Sequence, residues 1–365
     1  MTSPRVKNGW VETTLKELVD IFDSKRIPLS TGERVKRKGS FPYYGASNIV
    51  DYIDDFIFDG DYLLISEDGE NLNTRNTPIA FMASGKFWVN NHAHIVRGKE
   101  KHMTKYLYWY FSQLDISPYI TGAVQPKLSK SNLESIQIKI PENPDEQRAI
   151  AAVLSSLDDK IELLREQNKT LEAMAQQLFR EWFTEFNFPD ADGKPYKKSG
   201  GRMIDSELGE IPEGWRVGRI GDVVEIRGGS TPSTQNTDFW DGEIAWTSPK
   251  DLSNSQEIFL LKTEKKITEK GLTQISSGLL PKGTLLLSSR APIGYLALSA
   301  LEVAINQGYI AFLPNQKFSN NFMYLWLKMN MQKIINASNG STFLEISKSS
   351  FRGIDCVIPK SLFRI

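Results

Sequence analysis

The side chains able to do chemistry in this 365-residue chain are few, and their spacing completes none of the usual catalytic constellations. The three histidines are His92, His94 and His102. The first two alternate on one strand face, but His102 is too far along the chain to join that face, so they read as structural or polar-surface groups. A metal-dependent nuclease pattern can be traced from Pro144-Asp145 to Asp158-Asp159-Lys160. That pattern falls on one continuous helix, where Asp145 already sits at the end favoured by the helix dipole; such nucleases gather their acids on adjoining strands. Ser288, Ser289 and Ser347 have no obvious base partner, which speaks against nucleophilic catalysis. Asn143-Pro144 begins, without completing, the Asn/Asp-Pro-Pro-aromatic signature of amino methyltransferases, and no Gly-x-x-x-x-Gly-Lys-Ser/Thr phosphate loop is present. The chain reads as one that recognises a partner without catalysis of its own.

Bulk properties set the frame for that partner. The length suffices for two globular domains, each burying its own core. Lysine plus arginine and aspartate plus glutamate both count 44, which argues against a tail or domain held to nucleic acid by bulk charge but leaves room for local basic loops. The single cysteine, Cys356, allows no intrachain disulfide and suits a reducing compartment. No segment approaches the roughly 20 apolar residues of a membrane span, and the N-terminus lacks the apolar centre of a signal peptide. A soluble, cytoplasmic protein is expected.

An internal repeat organises the chain. Gly9-Trp10 is echoed by Gly214-Trp215, and residues 14–22 by 219–227, at an offset of 205. Asn91-His-Ala-His-Ile95 parallels Asn306-Gln-Gly-Tyr-Ile310 at 215, and residues 121–141 parallel 339–359 at 218, sharing Ser-Lys-Ser and a closing proline. The growing offset places extra residues in the middle of the second copy. Each copy is expected to open with an amphipathic helix after Gly-Trp. Short strands follow, among them DYLLISEDG and GTLLLSSRAPIGYLALS, then an aromatic-rich helix near 105–114 or 320–331, and a closing strand, IQIKIP or IDCVIP. The fold class is α+β, two repeated domains with a substantial β core, separated by a long coiled-coil-forming helix.

That helix begins at Asn143-Pro144-Asp145-Glu146, which supplies a cap, a first-turn proline and an acid at the capping-box position. From there Ile150, Leu154, Leu157, Ile161, Leu164, Leu171, Ala175, Leu178 and Trp182 recur in steps of four and three, with Asn168 in the one polar slot. This is a coiled-coil seam, and an isolated Asn in such a seam fixes register or partner. A helix from about 144 to 185 is on the order of 60 Å long and needs a partner helix along its seam; packing on its own domain is the plainer alternative. The expected organisation is a first recognition domain over 1–143, a spacer helix over 144–186, a linker over 187–212 and a second recognition domain over 213–365.

The chain resembles the specificity subunits of type I restriction–modification systems along essentially its whole length. The most specific stretches are SELGEIPEGW (206–215), RGGSTPSTQNTDFWDGEIAWTSPKDL (227–252), SRAPIGYLALSALEVAINQG (289–308) and PENPDEQRAIAAVLSSLDDKIELL (141–164). The resemblance implies a DNA-reading subunit with two target-recognition domains. Each reads one half of a split site on double-stranded DNA, and the helix sets the gap. It implies no activity and no cofactor for this chain alone. S-adenosylmethionine is carried by two modification subunits, and ATP and magnesium serve partner subunits, among them the restriction subunits that translocate and cleave. It also implies a second helix after Pro359, antiparallel to the first. Here KSLFRI follows instead, so the expectation is that this C-terminal helix is missing and that a second copy, a separately encoded fragment or the modification subunits cover the seam.

Base edges are read by Arg, Lys, Asn and Gln, and phosphates are held by Lys, Arg, Ser, Thr and backbone amides. On that basis three sets in the first copy are DNA-contact candidates: Arg34, Lys36, Arg37 and Lys38; Asn71, Asn73, Arg75 and Asn76; and Gln125 with Lys127. Their counterparts in the second are Arg227, Ser230 and Thr231; Ser289 and Arg290; and Ser341 with Thr342. The Trp residues of the Gly-Trp pairs, Trp240 and Trp246 read as core packing. Two other functions compete: a standalone nuclease or methyltransferase with divergent motifs, and a truncated scaffold that pairs with a second chain.

Overall fold

The computed structural model describes residues 5–6, 9–122, 124–253, 257–315, 318–340 and 344–360. It comprises two units, Met1–Gln167 and Asn168–Ile365.

Each unit is closed by pairing its two ends. In the first, strand Trp10–Thr14 runs antiparallel to Gln137–Pro141, with Trp10 opposite Pro141. In the second, Arg216–Arg219 runs antiparallel to Asp355–Ile358, with Arg216 opposite Ile358. The residues after each Gly-Trp are thus strands, where an amphipathic helix was expected. Val11, Thr13 and Thr14 are β-branched, and the closing strand offers Ile138 and Ile140, both buried, as partners. The helical spacing survives only as single turns, Leu15–Leu18 and Ile220–Asp222. The repeated glycine has its own reason: Gly9 and Gly214 adopt φ of +76° and +84°, a turn conformation that side chains disfavour.

The main sheet has one topology in both units. Strands Val19–Ile21, Ala93–Gly98, Tyr62–Ser66 and Ala80–Ala83 lie in that order in the first. Ile226–Arg227, Tyr309–Phe312, Leu285–Ser289 and Ile293–Ser299 do so in the second, with Phe259–Leu260 added at the edge. A second sheet in each contains a parallel pair, Tyr43 beside Trp88 and Trp246 beside Ala304. The central strand of the main sheet is buried on both faces. Leu63 and Ile65 meet Leu15, Leu107, Phe111 and Ile138, while Leu64 meets Tyr44, Phe58 and Phe87. Leu285 and Leu287 against Leu286 repeat the division. The second copy's extra residues lie between Trp240–Thr247 and Leu285–Ser289, where they form helix Pro249–Ser253 and the edge strand.

Hydrogen bonding corrects one detail of the repeat. Asn90 N–H donates to the Tyr44 carbonyl at 3.1 Å, as Asn306 N–H does to Thr247 at 3.0 Å. The Asn90 and Asn306 side chains accept from His92 and Gly308 N–H, each at 2.8 Å. Asn306 therefore corresponds to Asn90, not Asn91, and His94 to the buried Ile310. The tandem Asn90-Asn91 made the sequence register ambiguous. The repeated Ser-Lys-Ser proves to be a helix cap. Ser129 Oγ accepts from Asn132 N–H at 3.2 Å, starting Lys130–Ser135, and Ser347 Oγ accepts from Ser350 N–H at 3.0 Å, starting Lys348–Arg352.

The long helix runs Pro144–Phe183, with Asn143 Oδ1 accepting from Asp145 N–H at 2.9 Å. Within the first unit its start is held by Gln147, whose Nε2 donates to the Pro141 carbonyl at 2.7 Å, by buried Ala151 and by half-buried Ile150 and Leu154. Within the second unit its end is held by Phe179, 5% exposed, with Trp182 and Phe183 beside it. The middle of the expected seam is open: Leu157, Ile161, Leu164, Leu171 and Leu178 are exposed, as is Asn168. Among the described residues no helix is long and apolar enough to cross a membrane.

Candidate nucleic-acid interface

The basic set of the first unit sits on a short helix and the strand after it. Ser30 and Glu33 cap Thr31–Lys36 reciprocally. This presents Arg34, Lys36, Arg37 and Lys38 beside the strand Ile49–Ile53. Acids already occupy three of them. Arg34 Nε lies 3.3 Å and Lys38 Nζ 2.5 Å from the Asp51 carboxylate, and Arg37 Nε lies 2.9 Å from that of Asp54. Arg37 also stacks 4.9 Å from the Trp88 ring, and Arg34 5.3 Å from Tyr43. The Lys38 hydrogen bond, with help from Tyr52 N–H, holds the Asp51 carboxyl below its ordinary range. Lys36 is exposed. The cluster's field at the surface is therefore weaker than its four cations imply.

The second and third polar sets are brought together. Asp68 and Lys127 form a β-bridge, Gly69 N–H donates to the Pro126 carbonyl at 3.1 Å, and Leu128 N–H to Glu67 at 2.7 Å. Asn71 closes its own loop, accepting from Thr77 N–H at 2.9 Å and donating to the Thr77 carbonyl at 3.0 Å. Arg75 donates to the Leu114 carbonyl at 2.7 Å. Asn73, Asn76 and Gln125 are exposed, as is Lys127.

Beneath these loops lies an ionic cluster that the sequence reading missed. Arg26 Nη1 sits 2.5 Å from Glu67 Oε2, and Lys127 Nζ 3.3 Å from Glu67 Oε1, so one carboxylate spans two cations. His94 is 1% exposed; Nδ1 lies 2.6 Å from Asp23 Oδ2 and Nε2 2.7 Å from the Leu128 carbonyl. Both ring nitrogens thus face oxygen partners. Asp23 Oδ1 accepts from Ile95 N–H at 3.0 Å. Burial pushes the Asp23 and Glu67 carboxyls up, yet both end below their ordinary range, Asp23 through His94 and Glu67 chiefly through Arg26. Asp23, Glu67 and His94 bring ligand-type atoms within 4.8 Å of one another. Arg26 already sets its charge against both carboxylates, and His94 spends both nitrogens. No local signal marked the cluster, because its members are scattered from 23 to 127.

The second unit builds the same place differently. Ile346 N–H donates to the Ser289 carbonyl at 3.0 Å, the counterpart of the Leu128–Glu67 bond. Arg290 and Glu345 form the β-bridge equivalent to Asp68 and Lys127, with charges reversed and Nη1 3.8 Å from Oε2. Ser289 is 4% exposed, so Arg290 is the group this segment offers to a ligand. A β-carbon at Gly229 would collide with the Ile305 carbonyl. That close approach brings Thr231 Oγ1 to 2.7 Å from Gln307 Oε1 and Ser230 Oγ to 2.7 Å from the Gln274 carbonyl. Arg227 is paired with Glu225 at 2.8 Å. Ser341 and Thr342 lie outside the described residues. Trp215 and Trp246 are buried, and Trp240 meets Trp246 edge-on at 5.1 Å. Burial pushes the Cys356 thiol up to about 11, which leaves it unreactive at neutral pH.

A family profile described as type I restriction modification DNA specificity domain matches residues 7–173 and 212–361, once for each repeat. This chain belongs to that family. Among curated specificity-domain proteins it is 38% identical over 157 residues to the type I restriction enzyme MjaIX specificity subunit of Methanocaldococcus jannaschii, covering 42% of this chain and 36% of that one. It is 24% identical over 287 residues to the type I restriction enzyme HindI specificity subunit of Haemophilus influenzae, covering 64% and 61%. Each match spans less than two thirds of the relative. The crystal structure of a type I restriction-modification S subunit from M. genitalium shares the fold, with a TM-score of 0.59 at 15% identity over 99% of this chain and 88% of that one.

Proposed function

We propose that this chain is the DNA-specificity subunit of a type I restriction–modification complex, each repeat reading one half of a bipartite site. The observation that carries the reading is the double match to the specificity-domain family, each copy ending its central strand in polar loops tied by one β-bridge. The chain itself is non-catalytic. S-adenosylmethionine belongs to two modification subunits, ATP and magnesium to partner subunits, and restriction subunits join the same assembly. The long helix sets the gap between half-sites, and its exposed apolar row pairs with a second helix as a coiled coil. DNA contact comes from exposed members of the polar sets, among them Lys36, Asn73, Asn76, Gln125 and Lys127 in the first unit and Thr231 in the second, and from half-buried Arg290.

Two measurements test this. Expressed with its modification subunits, the chain is expected to direct adenine methylation of chromosomal DNA at a bipartite motif with a fixed gap. An unchanged methylation map sinks the reading, and turnover of DNA by the purified chain with magnesium and S-adenosylmethionine overturns its non-catalytic part. For the helix, Leu157→Glu and Leu171→Glu are each expected to change folding stability by no more than about 0.5 kcal/mol, because both side chains are already exposed. Each is expected to abolish assembly, read by light scattering of the co-expressed subunits. Undiminished assembly would remove the coiled-coil role.

A further inference from the structure

We infer that Glu67 is a positioning residue for sequence readout by the first unit, an inference that rests on the DNA-specificity function proposed above. Glu67 touches no candidate base-reading group except Lys127, yet it fixes the base of two candidate loops at once. Its backbone carbonyl accepts from Leu128 N–H at 2.7 Å, and its carboxylate joins exposed Lys127 at 3.3 Å to half-buried Arg26 at 2.5 Å. Arg26 is in turn anchored to the sheet, donating to the Ala93 carbonyl at 2.9 Å and the Asp23 carbonyl at 3.0 Å. His94 locks the other side of the same strap through the Leu128 carbonyl. The segment closed by Thr121 and Lys127 and the loop after Asp68 are therefore held to one rigid ionic block. Direct readout requires side chains to be fixed to a fraction of an ångström by such support. Among the described residues the second unit has no equivalent block: Ser289 and Ile310 stand where Glu67 and His94 do, and a charge-reversed pair, Arg290 and Glu345, closes its bridge. Loosening Glu67 should accordingly blur one half-site only.

The test is the methylation map of host chromosomal DNA, made with co-expressed modification subunits and either the wild-type chain or Glu67→Gln. Glutamine keeps the shape and one acceptor but cannot bind both cations as an anion. The expected result is about a tenfold loss of discrimination at one or more bases of one half-site, with the other half and the gap unchanged. Glu67→Asp, which keeps the charge but is too short to span Arg26 and Lys127, should show the same relaxation to a smaller degree, and it carries the test if the glutamine variant does not fold. An intact motif with lowered thermal stability would reduce Glu67 to a structural role and overturn the inference, as would equal loss in both halves. Absence of any bipartite motif with the wild-type chain would overturn the proposed function itself, and is told apart by that control.

Discussion

Replacing Arg26 by methionine is expected to destabilise the unit Met1–Gln167 by about 1–3 kcal/mol while leaving the second unit unchanged. Methionine fills much of the space but carries no charge and no donors. Arg26 is 15% exposed at its side chain, Glu67 12% and Asp23 8%. Removing the guanidinium takes from Glu67 the shorter of its two cation contacts, leaving Lys127 at 3.3 Å, and leaves the Ala93 carbonyl short of a partner. A surface ion pair of the Arg37–Asp54 kind, with its acid about half exposed, carries no such penalty. The pH dependence has a defined sign. Burial alone would raise Asp23 and Glu67, but His94 and Arg26 hold both below their unfolded values. They contribute stability that is present above the ordinary carboxylate range and is lost as pH falls through their lowered values, below about pH 4. Without Arg26 the Glu67 carboxyl keeps only His94 and Lys127 to oppose burial, so the variant should lose less on acidification than the wild type. Amide exchange followed separately in each unit at pH 7 and pH 3.5 reads both effects. A loss spread evenly over the two units would show that the cluster is not local to the first.

The fold was legible where periodicity and repetition reinforce each other. The strands DYLLISEDG and GTLLLSSRAPIGYLALS, the two aromatic helices and the start of the long helix all stand where their patterns place them. What was not legible depended on partners distant in sequence. Trp10–Thr14 is a strand because Gln137–Pro141, over a hundred residues later, pairs with it; five local residues could not say so. Asn306 aligned with the wrong member of Asn90-Asn91 until two backbone bonds fixed the register. The basic set at 34–38 is visible as charge, but the acids that balance it, Asp51 on the next strand and Asp54 just past its end, are brought to it only by the fold. The ionic block at Arg26 gave no signal at all. Of its members only His94 and Lys127 drew notice, His94 as a polar group without a known partner. Heptad spacing likewise exposed the apolar content of the long helix but not its faces, since a helix can bury residues on one side at one end and expose a different row in the middle.

That difference of faces makes Phe179 the decisive residue at the end of the helix. Phe179→Ala is expected to lower the stability of the second unit by about 3–5 kcal/mol, whereas Leu178→Ala, one position away and on the expected seam, should change it by less than about 1 kcal/mol. Phe179 is 5% exposed and its ring centre lies 5.1 Å from Phe322 and 5.0 Å from Phe183. Phe183 meets Phe322 edge-on at 4.9 Å, so truncating Phe179 opens a cavity in an aromatic cluster that cannot close without moving a helix. Seven residues, nearly two turns, before Phe179, Glu172 pairs with Lys328, which places 172, 179 and 183 on one packed face. Leu178 is 46% exposed and points away from it. Chemical denaturation of the two variants, followed by amide exchange in the strands Leu285–Ser289 and Tyr309–Phe312, separates the cases. A larger loss at Leu178 would mean that the heptad row itself is the packed face. If the order is as expected, the packing of Phe179 within its own unit leaves Leu171 and Leu178 exposed. Under the coiled-coil proposal, these are the side chains available to a partner helix.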